Sequence, residues 1–484
     1  MNRRSFIKNS AVVTTSVLTG LMCQKNKEKP NVLFIAIDDL NDWIKPLHPG
    51  SPVLTPNLDR LFKRGVLFTR AYCSSPACNP SRASLLTGLR PSTTGIYGNH
   101  SDWRKALPDA DTIPQHFMKH GYHAVGAGKI FHHAWNGAFH DDASFEDFQM
   151  IPDPPDGLFP EPRLCGIDTW IGGARDGMPI SPTSLFDWGI HPEREQDAVD
   201  YHTASYAVNW LKGKHAKPWF LATGFFRPHM PCYAPQKYFD MYPLDEIKLP
   251  PVLKDDLSDI PGGGMHLWKI GKPFIYQTIV QHNKLKEAVR AYYACVTFMD
   301  AQLGRVLDAL DNSPYKKDTI IVLWSDHGYH LVEKEHWGKF VLWEKATRMP
   351  FFISAPGVTP ENDICTRPVS LLDIYPTLNT LCGLEPKPEL EGVDLSPLLK
   401  NPKKNRDHAV VSTYLQNNHA VRSERYRYIR YSDGTEELYD HKTDPDEWNN
   451  VAENPEYRGI INDHRQWLPG INAPQVPDMQ KPEA

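Results

Sequence analysis

Asn31-Val32-Leu33-Phe34-Ile35-Ala36-Ile37 runs almost without a polar side chain and then stops at Asp38-Asp39. A half-exposed strand alternates apolar and polar residues. A continuous apolar run reads instead as a strand covered on both faces, as in a parallel sheet flanked by helices. Trp219 to Phe225 and Thr319 to Trp324 read the same way, and Tyr122 to Gly128 and Phe351 to Ser354 are shorter strands. Helical patterns lie between them: Leu58 to Gly65, Thr112 to His120 closed by Gly121, Ala198 to Leu211, Leu285 to Asp311, and Leu371 to Cys382 with Asp373 in its first turn. This alternation predicts an α/β fold, a large and mostly parallel mixed sheet sandwiched by helices.

Polar clusters recur just after these strands. Asp38-Asp39 follows the first, Lys129 and His132 the strand ending at Gly128, His229 the strand ending at Phe225, and Asp326-His327 the strand ending at Trp324. In doubly wound sheets the carboxyl ends of the strands share one edge, and ligands bind there. Residues far apart in sequence are therefore expected to meet. Asp38, Asp39 and Asp326 supply hard oxygen donors. With His327 they suit Ca²⁺ or Mg²⁺ better than a soft metal, since no cysteine pair joins them. Lys129, Lys339 and Arg82 would surround an anion, and His132 and His229 are proton-transfer candidates near neutral pH. Such a set suits displacement at a tetrahedral oxyanion, sulfate or phosphate.

A second stretch, Cys78-Asn79-Pro80-Ser81-Arg82, leads into Ala83-Ser84-Leu85-Leu86-Thr87-Gly88. Proline suits the first turn of a helix, which puts Cys78 at a helix N-terminus in positive potential. Alone, a cysteine there reads as an ordinary buried thiol. Its company among the strand-end clusters makes it a candidate nucleophile.

Composition bounds the rest. The 484 residues are 40% hydrophobic and 23% charged, with net charge -5, which describes an ordinary globular chain. No sustained Lys/Arg run lies outside the termini, so a nucleic-acid grip is not expected. The 43 prolines and 13 tryptophans suit long ordered loops and aromatic surfaces, as in a sugar-binding cleft. Loops are expected at 134–190 and 231–270. Residues 1–28 read as an export signal of twin-arginine type, Arg3-Arg4 followed by Phe6 and Lys8, then an apolar run too short to span a membrane. The expected location is the periplasm, with a lipid anchor on Cys23 as an option. The eight cysteines are sparse and irregular, which leaves room for one or two bridges of open connectivity. A linker near 400–406 precedes short strands at Ala409 to Tyr414, Ala420 to Arg422, Tyr426 to Tyr431 and Glu437 to Tyr439. Ser432-Asp433-Gly434 is a hairpin turn among them. The expected organisation is a catalytic domain at 29–403 and a C-terminal subdomain at 404–484 with a small antiparallel sheet.

These motifs resemble the type I sulfatases of the alkaline-phosphatase superfamily. The run Cys78-Asn79-Pro80-Ser81-Arg82 matches their C-x-P-S-R signature, with Leu85-Leu86-Thr87-Gly88 in its usual place. Asp38-Asp39 and Asp326-His327-Gly328 match the metal half of the pattern. Glu437-Leu438-Tyr439-Asp440 through Asn450 is similar to the family's closing segment. Gly128-Lys129-Ile130-Phe131-His132 and Arg227-Pro228-His229-Met230-Pro231 look most like the iduronate-2-sulfatase group.

The resemblance implies an alkaline-phosphatase-like fold and removal of sulfate from a uronate-containing glycan, a glycosaminoglycan or an ulvan-like polymer or its oligosaccharides. It implies that a formylglycine-generating or sulfatase-maturating enzyme oxidises Cys78 to formylglycine. Asp38, Asp39, Asp326 and His327, with residue 78, would bind one Ca²⁺. Arg82 would hold the formylglycine, and Lys129 and Lys339 the sulfate oxygens. His229, with Lys339, would protonate the leaving sugar oxygen, and His132 would take the remaining hydroxyl proton as sulfate departs. Asn99 and Arg104, with Trp103, are candidates for a sugar carboxylate. Loops 134–190 and 231–280 would build subsites for neighbouring sugars. The alternatives are a phosphodiesterase or phosphonate monoester hydrolase using the same nucleophile, and a non-catalytic glycan-binding protein on the same fold.

Overall fold

The computed structural model describes residues 29–132, 139–150, 164–167, 174–175, 178–179 and 186–479. The expected leader with Cys23, and most of 134–190, lie outside these residues. Six strands form the body of the main sheet: β1 (Asn31–Ile37), β2 (Val66–Tyr72), β3 (His123–Gly128), β4 (Trp219–Phe225), β5 (Thr319–Ser325) and β6 (Arg348–Ser354). Across the sheet they run β2-β6-β5-β1-β4-β3, with Asp363–Cys365 outside β2 and Asp147–Gln149 outside β3. β5, β1, β4 and β3 are mutually parallel, and β6 runs antiparallel to both β5 and β2. Thus β2, β5, β1, β4 and β3 all end at one edge.

The apolar runs are buried on both faces. Along β1, Leu33, Ile35 and Ile37 join one core, and Val32, Phe34 and Ala36 join the other. This is the two-residue period of a strand. Three helices matter most for the site: α1 (Cys78–Thr87), α2 (Val199–Lys212) and α3 (Leu285–Asp311). α2 and α3 cover the first face, with Ala204, Ala207, Leu303 and Val306 in its core. α1 covers the other with Ala83, Leu85 and Leu86. Each fully buried Leu, Ile or Phe contributes roughly 1.5–3 kcal/mol of transfer free energy. Among the described residues no helix is long and apolar enough to cross a membrane.

One expectation is corrected. The stretch 231–270, read as loop, carries a strand at Cys232–Ala234 and helices at Gln236–Asp240 and Gly262–Ile270. Gly262-Gly263-Gly264 looks like a helix breaker. A Cβ on Gly263 would lie 2.3 Å from the Tyr431 side chain, and one on Gly264 2.5 Å from Glu437 Oε1. The glycines let the helix start press against the C-terminal sheet, so their packing outweighs their low propensity.

That sheet is an antiparallel meander of β7 (Val410–Thr413), β8 (His419–Arg422), β9 (Tyr426–Arg430) and β10 (Glu436–Asp440). Ile429, Tyr431 and Tyr439 share a core with Trp343 and with Ala77, the residue before Cys78. Ser412 Oγ donates to Cys73 O at 2.6 Å, and Thr413 N to Ser74 O at 2.8 Å. The small sheet therefore backs the turn that presents Cys78. Arg427, fully buried, pairs with Glu344 and, at 2.6 Å, with Glu447. Arg427→Ala leaves both carboxylates buried near an empty space and is expected to cost about 3–5 kcal/mol. The check is a lowered thermal midpoint by calorimetry, which Arg427→Lys recovers only in part, since lysine lacks the planar fork.

Candidate active site

The in-register pairing Ile37↔Ser325 brings Asp38 and Asp326 side by side where β1 and β5 end. Asp39 takes a left-handed backbone with φ 60°, a conformation that aspartate visits more readily than most residues. It is held there by two backbone hydrogen bonds. Its amide donates to Asp326 Oδ1 at 3.1 Å, and its carbonyl accepts from Tyr292 Oη at 2.8 Å. Tyr292 in turn accepts from Asn41 N at 2.9 Å. Lys129 leaves β3 through Gly128, whose φ is +78° and whose Cβ would stand 2.0 Å from Gly224 O. Only glycine fits there.

Cys78 is the first residue of α1. The second, Asn79, offers its amide to Asn99 Oδ1 at 3.0 Å, and its side chain donates to Gly98 O and Ser101 O. Ser81 Oγ donates to Asp326 O at 2.5 Å. The residues between the cysteine and the arginine of the signature thus dock the helix start onto β5 and the 98–101 loop.

At the centre lie three carboxylates and three cations. Asp38, Asp326, His327, Arg82 and Cys78 have no exposed surface, and Asp39, Lys129 and Lys339 have almost none. Arg82 donates from Nε to Asp326 and from Nη2 to Asp38, both at 3.0 Å, and from Nη1 to the carbonyls of Lys129 and Ile130. With a cysteine at position 78, the guanidinium is occupied by the carboxylates and strand-end carbonyls. Lys129 Nζ donates to Asp38, and Lys339 Nζ to Asp39 and, at 2.8 Å, to Cys78 Sγ. His327 Nε2 lies 3.4 Å from Cys78 Sγ and 3.4 Å from both Asp39 and Asp326.

The electrostatics follow. Burial alone would raise Asp38, but Lys129 and Arg82 hold it well below the usual carboxylate range. Asp39 goes the other way, because burial and the charges of Asp38 and Asp326 outweigh Lys339. Burial pushes the Cys78 thiol up to about 12 despite Lys339 and Lys129. It stays protonated at neutral pH. Burial depresses Lys339, but Asp39 and Cys78 more than reverse this, so it keeps its proton.

Asp39, Cys78, Asp326 and His327 offer ligand atoms within 4.8 Å of one another, and Asp38, Asp39 and His229 form a second such group. The donor set fits a hard divalent cation, since clustered oxygens plus one imidazole satisfy it and the raised Asp39 carboxyl would be relieved by it. His327 Nδ1 bonds Gly328 O at 2.9 Å. As a backbone carbonyl only accepts, Nδ1 carries the proton and Nε2 faces the cluster as a ligand-ready lone pair.

His229 is arranged likewise, with Nδ1 on Met230 O and Nε2 4.0 Å from Asp38 and 3.9 Å from Asp39. Burial, helped by Lys129, lowers it to about 3, so it is neutral here and its Nε2 accepts rather than donates. His132 is also held well below its ordinary value, by burial and by Lys129. Its Nδ1 is buried without a partner among the described residues.

Arg104 is corrected as a sugar contact. It pairs with Asp141 at 2.6 Å, donates to Ala110 O and Gln115, and lies over the buried ring of Trp103. Asn99 caps α1 instead of standing free at its side-chain oxygen. The structure also brings in Tyr292 and Asn41, which the sequence reading missed, and gives Asn79 and Ser81 of the signature their partners. Tyr292 sits on the apolar stripe of a long helix and carries no signal of its own. Tyr292→Phe strands the Asp39 carbonyl and the Asn41 amide. It is expected to weaken divalent-cation binding about tenfold, read by calorimetric titration, with the circular dichroism spectrum unchanged.

Comparison with known proteins accords with this geometry. The family model described as Sulfatase matches residues 30–384, and the one described as N-sulphoglucosamine sulphohydrolase, C-terminal, matches residues 332–473. A sulfatase of Formosa agariphila is 43% identical over 93% of this chain and 88% of its own length. The iduronate 2-sulfatase of Homo sapiens is 30% identical over 74% of this chain and 70% of its own length. The solved structure of a 2-O GAG sulfatase superposes with a TM-score of 0.68 at 25% identity, covering 91% of both chains. With strand-end carboxylates, paired lysines and the C-x-P-S-R turn all assembled at one sheet edge, the chain belongs to the sulfatase family, the hydrolases of sulfuric esters.

Proposed function

We propose that the protein is an exported, calcium-dependent sulfatase that works through formylglycine at position 78 and releases sulfate from uronate-containing glycans of glycosaminoglycan or ulvan type. The observation that carries this reading is the Cys78 side chain enclosed by Lys339, His327 and the carboxylates. A thiol pushed up to about 12 is a poor nucleophile at neutral pH, so the position calls for chemistry other than a thiolate's. The similarity to iduronate 2-sulfatase and to a 2-O GAG sulfatase supports a sulfated sugar as the substrate.

When present, calcium would offset the carboxylates and a hydrated aldehyde would supply two hydroxyls, one to attack sulfur and one to expel sulfate. Asp38, Asp39, Asp326 and His327 are the residues to hold the cation. Arg82 fixes the spacing of two of them. Lys129 and Lys339 direct positive charge at the sulfate oxygens once the cation relieves them of Asp38 and Asp39. Lys339 is the group that carries a proton at neutral pH. His229 joins it as an acid when an anionic ester adds negative charge beside its imidazole. His132, neutral and with Nδ1 unpartnered among the described residues, is the base that takes the hydroxyl proton.

Cys78→Ala is expected to abolish sulfate release, measured by ion chromatography on defined sulfated oligosaccharides. Mass spectrometry of the peptide holding residue 78 is expected to read an aldehyde. Chelation followed by gel filtration should remove at least about 90% of the activity, and Ca²⁺ should restore it. Retained activity in Cys78→Ala, or faster turnover of an aryl phosphate diester than of every sulfate ester, overturns the reading in favour of phosphoryl chemistry.

A leaving-group test separates the acids. His229→Ala and Lys339→Ala are each expected to slow sugar sulfates about 100-fold. On nitrophenyl sulfate the His229→Ala loss should shrink to a few-fold, because that leaving group departs without a proton. Lys339→Ala should still lose heavily there, since Lys339 also binds the sulfate. Equal losses on both esters would remove His229 from the acid role.

A further inference from the structure

Away from the cation cluster, two buried thiols share one core, one just after the segment that carries His229 and one on the long helix α3. Cys232 opens the short strand after Arg227-Pro228-His229-Met230-Pro231, and Cys295 lies midway along α3. They are 2% and 0% exposed. Cys295 Sγ lies 3.4 Å from the carbonyl of Tyr233, the residue beside Cys232. Cys232 Sγ lies 3.6 Å from Pro228 O. Both side chains belong to one buried core, and both are free thiols in this structure.

Each cysteine stands three residues beyond a group of the site. His229 precedes Cys232, and Tyr292, which holds the Asp39 carbonyl at 2.8 Å, precedes Cys295. On a helix that spacing is one turn on one face. A covalent link here would tie the His229 segment to the helix that fixes Asp39. Other ties brace the segment from its far side: Asp200 accepts from the amides of Phe226 and Arg227, and Arg227 donates to Tyr233 O and His229 O.

We infer that Cys232 and Cys295 are joined as a disulfide in the exported protein and that this bond holds His229 in register with the Asp38-Asp39 cluster. One thiolate attacks the disulfide of an oxidant, a thiol oxidoreductase or oxidised glutathione, and releases one of its thiols. The second thiolate then displaces the other half from the mixed disulfide. The two cysteines lose two electrons and two protons, and the oxidant becomes two thiols. Both sulfurs are buried, so the oxidant reaches them where the His229 segment opens from α3. The bond rests on the proposed export, and the second half of the inference also on the proposed role of His229.

The full chain, exported into an oxidising compartment, is unfolded in an alkylating agent and mapped by mass spectrometry before and after reduction. The expected result is one linked pair of peptides, holding Cys232 and Cys295 and about 2 Da lighter than the two free peptides together. Cys73, Cys165, Cys365 and Cys382 should alkylate without reduction. Alkylation of both cysteines without reduction, or a link from either one to Cys165, overturns the inference. The double variant Cys232→Ala, Cys295→Ala is expected to lower the thermal midpoint by about 5 °C. Its turnover on a sugar sulfate should fall several-fold with KM unchanged. A linked wild type with an equally active variant retains the bond but overturns its positioning of His229. A linked wild type that releases no sulfate from any ester retains the bond and sinks the sulfatase reading instead.

Discussion

The guanidinium of Arg82 spans Asp38 at the end of β1 and Asp326 at the end of β5 with no exposed surface on any of the three. Those strands are in-register neighbours, so the sheet itself sets the separation of the carboxylates at roughly the inter-strand spacing of 4.8 Å. A planar fork of donors matches that separation; a single ammonium would not. The remaining donors of Arg82 take up the carbonyls of Lys129 and Ile130, at the end of β3. One side chain on α1 therefore ties the helix start to three strand ends, and Cys78 travels with it. Taking these charges out of water is costly, and breaking such a buried set by losing one partner typically costs several kcal/mol.

The lysines complete a balance of charge. Asp38, Asp39 and Asp326 face Arg82, Lys129 and Lys339. A site that is neutral by itself would take up a divalent cation and an anionic ester with least cost if it took both, since a cation held by the carboxylates would leave the lysines' charge to the ester. The split between Asp38, held low, and Asp39, held high, marks where the balance is uneven. It falls beside Cys78, where Lys339 already bridges the carboxylate and the sulfur.

Much of this was legible from residues alone. The runs at 31–37, 219–225 and 319–324 are strands because continuous apolar stretches have no solvent face to offer, and each is paired and buried as expected. The strand-end polar clusters meet because parallel strands end at a common edge. The glycines at 262–264 misled, since a propensity argument cannot see Tyr431 and Glu437 closing on them. Arg104 misled for a similar reason. Its charge was visible, but its partner Asp141, distant along the chain, was not.

What the sequence by itself determined is the list of chemical groups and the strand ends that carry them, because hydrophobic periodicity and motif spacing are local properties. What only the tertiary structure decided is how those groups are spent. Arg82 braces carboxylates, Asn99 caps a helix, Tyr292 holds a strained aspartate, and Cys295 rests against the carbonyl of Tyr233. Each of these depends on a contact between residues that no local pattern relates, made where two elements pack and leave one partner within reach.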